Sequence, residues 1–135
     1  MMHRVMASAA PHAAAGWAAL PGVPASVPAA RRFAAEALAG CPRADDLTLA
    51  VSELATETVA WSASKGESSI FLVRVRAVTL WARIEVADDG PAEARPGPGN
   101  GMGQRIVAAV TDRHGVRFRP DGTRTSWAEC TWPLP

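Results

Sequence analysis

Asp88, in the run Val86-Ala87-Asp88-Asp89-Gly90, and the glycines of Gly99-Asn100-Gly101-Met102-Gly103 are the residues of this chain best suited to chemistry. An ionised aspartate only accepts hydrogen bonds. Asp88 therefore suits the donor amine of adenine and opposes the carbonyl that guanine carries at that position. Gly99, Gly101 and Gly103 lack a Cβ and reach φ values closed to other residues. They let the backbone around Met102 wrap closely on phosphate oxygens. The run from Gln104 to Val110 reads as a short helix, and the amides and dipole at a helix start favour an anion. The same residues also suit a plain turn between a strand and a helix. Two other glycine motifs fail on spacing. A P-loop needs a Gly-Lys-Ser/Thr ending, and the lone lysine, Lys65, is far away. A dinucleotide fingerprint needs two residues between its second and third glycines, whereas these alternate singly.

A second candidate group lies on the preceding helix. Glu53, Glu57 and Trp61 are four residues apart and share one face. In one reading, one carboxylate acts as a general base and the other helps to hold a magnesium ion, which prefers oxygen ligands. In the other, the three form a solvated helix edge.

Several elements must position these residues. Ser26 before Val27 and Pro28 reads as the N-cap of a first helix, which Gly40 ends. A second helix begins near Asp45 or Asp46 and ends near Trp61, with Leu47, Val51, Leu54 and Thr58 as its buried stripe. Ile70 to Arg76 and Thr79 to Ala87 alternate as strands, paired as a hairpin across Ala77 and Val78. Gly115 to Arg119 and Thr123 to Trp132 read as a second hairpin. An edge strand is expected around Trp17 to Leu20. Residues 1–16, rich in alanine, are expected to be a disordered extension of a single domain over 17–135. Pro91 to Gly103 is the candidate mobile lid. The order of elements gives an α+β, two-layer sandwich with helices on one face of a mostly antiparallel sheet.

Composition narrows the function further. A net charge of +1 with 20% charged residues gives no basic excess, which argues against direct nucleic-acid binding. No apolar run approaches the roughly 20 residues of a membrane helix, and Cys41 and Cys130 read as reduced thiols of a cytoplasmic protein.

Taken in order, Val51-Ser52-Glu53-Leu54-Ala55-Thr56-Glu57, Asp88-Asp89-Gly90-Pro91, Gly101-Met102-Gly103-Gln104-Arg105-Ile106-Val107, Asp112-Arg113-His114-Gly115-Val116 and Arg124-Thr125-Ser126-Trp127-Ala128-Glu129 carry a resemblance. The chain resembles the histidine-kinase-like ATPase domain of bacterial anti-sigma factors and their serine-kinase relatives, over roughly residues 17–132. The resemblance implies a Bergerat-type ATP-binding fold. Glu53 matches the glutamate that assists phosphoryl transfer, Asp88 the adenine-binding aspartate and Gly90 the glycine beside it. Gly101 and Gly103 match the phosphate-loop glycines, and Thr125 the threonine that supports the adenine pocket. The implied cofactors are ATP and Mg2+. The implied activity is a serine/threonine-protein kinase acting on an anti-anti-sigma protein, with a sigma factor as the competing partner and a homodimer as a common assembly. Two positions depart from the pattern: Glu57 stands where an asparagine metal ligand is usual, and Trp61 where a histidine is common. The alternative these departures raise is a catalytically inactive protein-interaction module on the same fold.

Overall fold

A computed structural model describes residues 3–6, 14–62, 69–88 and 102–135 of the chain. The strands are β1 (His3–Met6), β2 (Ala14–Pro21), β3 (Ile70–Val78), β4 (Trp81–Asp88), β5 (Arg113–Phe118) and β6 (Arg124–Thr131). The helices are α1 (Ser26–Ala37), α2 (Ala44–Ser62) and α3 (Met102–Val110). All strand pairs are antiparallel, in the order β1-β2-β3-β4-β6-β5. Five longer strands thus form an open sheet to which the four-residue β1 is added at one edge. The α+β reading holds, with the helices on one face.

The period of each element explains which side it buries. On β3, Phe71, Val73 and Val75 are fully buried while Ile70, Leu72 and Arg74 point away, as strand alternation requires. Ala82, Ile84 and Val86 of β4 and Ala128 and Cys130 of β6 continue that inner face. Against it pack Phe33, Ala34 and Leu38 from the first helical segment and Leu47, Val51 and Leu54 from α2. The expected α2 stripe is therefore the one that is buried, and Thr58 joins it because its hydroxyl donates to the Leu54 carbonyl at 2.8 Å. Asp45 and Asp46 lie in the first turn of α2, where negative charge is favoured.

Four expectations need correction. Residues 3–6 and 14–16 are not disordered: they pair as β1 and the start of β2, His3 opposite Ala19 and Met6 opposite Gly16. Backbone ladder bonds to a neighbouring strand supply what the alanine-rich sequence lacks in strand preference. For the same reason the strand at Trp17 to Leu20 is not the edge, since β1 takes that place. Ser26 is not the N-cap but the first helical residue, preceded by Ala25. The first amides of α1 are met by a turn, Ser26 N–H donating to the Val23 carbonyl and Val27 N–H to that of Pro24. Finally, the β3–β4 connection is Thr79-Leu80, with Val78 paired to Trp81 and Leu80 at φ 69. This places the turn two residues beyond the expected one, and a shift of two leaves every side chain on its expected face. Of the candidate lid, Pro91 to Gly103, residues 91–101 lie outside the described residues, whereas Met102 and Gly103 belong to α3.

Candidate functional site

The last residue of β4, the first of β6, the second half of α2 and the start of α3 meet at one corner of the sandwich. Asp88 closes β4 on the helix-facing side and is 4% exposed. Its Oδ1 accepts the backbone N–H of Arg124 at 3.2 Å. The side chain of Arg124 then runs toward α2. Its guanidinium donates to Glu57 Oε1 and lies over the Trp61 ring, 5.1 Å from the centroid. Burial holds the Arg124 pKa below the ordinary guanidinium value. The second oxygen of Glu57 accepts Gln104 Nε2 of α3 at 2.6 Å. One arginine thus connects the strand-end aspartate with the helix carboxylate, and one glutamine connects that carboxylate with α3.

Glu53, one turn before Glu57, stands at the start of α3. A Cβ added at Gly103 would lie 3.1 Å from Glu53 Oε2. A glycine is therefore what allows the helix start to approach this carboxylate. Met102 begins α3 and is exposed.

The structure brings together Glu53 with Gly103, and Glu57, Gln104, Trp61 and Arg124 with Asp88. It does not bring Thr125 to the same side. Thr125 pairs with Ala87 of β4 and Arg117 of β5, so alternation gives it the parity of Trp127 and Glu129. Trp127 carries the Arg83 guanidinium at 4.3 Å, and Arg83 and Glu129 bridge across the outer sheet face. The helix-facing positions of β6 are Arg124 and Ser126. Gly90, Gly99 and Gly101 lie outside the described residues.

Glu57, the expected metal ligand, is engaged by side chains of the protein itself. Both of its oxygens take N–H donors, and among the described residues no group of three His, Cys, Asp or Glu side chains could hold a metal ion. Each oxygen keeps further accepting capacity, so an oxygen-seeking ion such as magnesium would compete with Arg124 and Gln104 for this carboxylate.

Arg124, Gln104 and Ser126 were not singled out by sequence. Arg124 and Ser126 fall two residues apart within a run read as a strand, so a shared face was legible. Which face it was depended on the register of β6 against β4.

An open antiparallel sheet covered by one helical layer, with a buried aspartate at the end of a central strand, defines an α+β domain. The chain belongs to the histidine kinase-like ATPase domain family, whose model matches residues 20–127. No curated protein matches the chain. Among the described residues no helix is long and apolar enough to cross a membrane.

Proposed function

We propose that this chain is an ATP-binding regulatory protein of the anti-sigma-factor serine/threonine kinase kind. In this reading it transfers the γ-phosphoryl group to a serine of an anti-anti-sigma protein, or sequesters a sigma factor. The observation that carries the reading is the buried Asp88 carboxylate, set at a corner shared with the Gly103 helix start inside the family match. Asp88 accepts from the adenine amine, and the α3 amides face the phosphates. Glu53 takes the proton from the attacking serine hydroxyl as its oxygen bonds to the γ-phosphorus and the bond to ADP breaks. Incubation with ATP and an anti-anti-sigma protein, followed by mass spectrometry, tests this. Phosphoserine that disappears with Glu53→Gln supports it, and none with either form refutes transfer.

The engagement of Glu57 by Arg124 and Gln104 favours a second reading, an interaction module that has lost phosphoryl transfer. It predicts partner binding without phosphoserine. Transfer by the unaltered chain excludes it.

A further inference from the structure

β5 is the last strand of the sheet, and among the described residues no strand pairs with its free side. The hydrogen bonds around it fix which of its backbone groups are spare. Arg119 N–H donates to the Thr123 carbonyl at 2.9 Å, while on β6 the N–H of Arg124 turns the other way, to Asp88. An antiparallel ladder alternates. Arg113, Gly115 and Arg117 therefore bond to β6, and the amides and carbonyls of His114 and Val116 point off the edge. Such a row is a ready template for another strand.

The side chains along that edge select what can pair there. Arg113 and Arg117 lie on the outer sheet face, opposite Glu129 and Thr125, and Arg119 follows. Residues 113–119 include no acidic side chain. Arg113 reaches Glu129 at 3.7 Å yet its side chain is 76% exposed, and Arg117 ion-pairs with no described residue. On the helix-facing side Val116 and Phe118 are both exposed. A second copy of β5 does not suit this edge. Paired antiparallel about Gly115, each Arg113 would stand opposite the other copy's Arg117, and like charges directly opposite are destabilising. A strand with acidic outer residues and apolar inner ones does suit it. Its acids meet Arg113 and Arg117, and its apolar side chains cover Val116 and Phe118.

We infer that the free edge of β5 is a docking site for an extended acidic segment of a partner protein, in which acidic and apolar residues alternate and which adds antiparallel as a further strand of the sheet. Main-chain bonds to His114 and Val116 hold it, and Arg113 and Arg117 choose its charge. Residues directly opposite share a face of the sheet. The amides of the segment's apolar residues are therefore the ones that bond to β5, while those of its acidic residues face away. The inference needs no nucleotide and stands apart from the ATP reading above.

The probe is an end-capped peptide of alternating glutamate and valine, titrated into the full chain at low ionic strength in three forms: unmodified, N-methylated at its valines, and N-methylated at its glutamates. Hydrogen exchange at the His114 and Val116 amides is followed alongside, and sedimentation reports the state of the free chain. The unmodified and glutamate-methylated peptides are expected to bind and to slow exchange at those two amides. The valine-methylated peptide should bind about tenfold more weakly or worse, the scale of the ladder bonds it cannot make. Arg117→Glu, an exposed position, should keep the thermal midpoint and weaken the acidic peptide about tenfold, since an attraction becomes a repulsion, and it should accept a lysine–valine counterpart that the parent rejects. Any other order among the three peptides, absence of binding included, overturns the inference, as does a charge reversal at Arg117 that leaves affinity unchanged. A free chain that already dimerises with the His114 and Val116 amides protected also overturns it, because a second copy then occupies the edge.

Discussion

Removing the two ends of the Arg124–Glu57 pair should cost unequal amounts, and the inequality follows from burial. The Arg124 side chain is 10% exposed and that of Glu57 33%. Glu57→Gln keeps the shape and one accepting oxygen but removes the guanidinium's countercharge where little water reaches it. Stripping one partner from a buried pair costs about 3–5 kcal/mol. The Trp61 ring beneath Arg124 retains about 1 kcal/mol of that through its π face. A loss of about 2–4 kcal/mol is therefore expected. Arg124→Met is the milder change. Methionine refills the aliphatic volume over Trp61, while Glu57 keeps Gln104 and a third of its surface in water. About 1 kcal/mol is expected there, the scale of a partly exposed pair. Since the double substitution leaves neither charge stranded, it should cost about 1–2 kcal/mol less than the sum of the singles. Urea unfolding at neutral pH, with matching slopes to establish the same two states, measures all three. Arg124→Met costing as much as Glu57→Gln, or single losses that simply add, would refute this account of the corner.

Two further predictions concern the same framework. Gly103→Ala puts a methyl 3.1 Å from Glu53 Oε2, so ATP affinity should fall about tenfold. The thermal midpoint should barely move, because alanine gains about 1 kcal/mol over glycine within a helix; unaltered affinity in a binding titration contradicts the role given to this close approach. Asp112, whose carboxyl accepts the Thr131 N–H at 2.7 Å, is held below the ordinary 3.8 chiefly by that bond and then by Arg43. Its depressed value in the folded state gives a stabilisation that is full above the ordinary pKa and is lost as pH falls through the folded one. The stability gap between the parent and Asp112→Asn should therefore be constant from neutral pH to about 5 and narrow below about 4; a gap that widens on acidification contradicts it.

The parts of the fold set by local period were legible in the sequence. Leu47, Val51, Leu54 and Thr58 repeat as a helix stripe and are the buried face of α2. The alternation from Ile70 onward gives the inner face of β3. What escaped was set by contacts distant in sequence. His3–Met6 is a strand because β2 lies beside it, and nothing in four residues announces that. The same holds at the site. Asp88, Glu53 and Glu57 could be named from residue type and spacing, whereas the destination of Arg124 depended on how β6 registers against β4. A single step of that register separates Thr125, which faces outward with Trp127, from Ser126, which faces the helices.

The most direct test of the central claim is calorimetric titration of ATP into the unaltered chain and into Asp88→Asn. The side-chain oxygen of asparagine can still accept the Arg124 N–H that Asp88 holds at 3.2 Å, so the fold should persist. Its amide, however, sets a donor against the donor amine of adenine. The account predicts saturable binding by the parent and a loss of about tenfold or more in the variant, the scale of a charge-assisted bond replaced by a donor clash. No heat at millimolar ATP, or equal affinity in the two proteins, would contradict it.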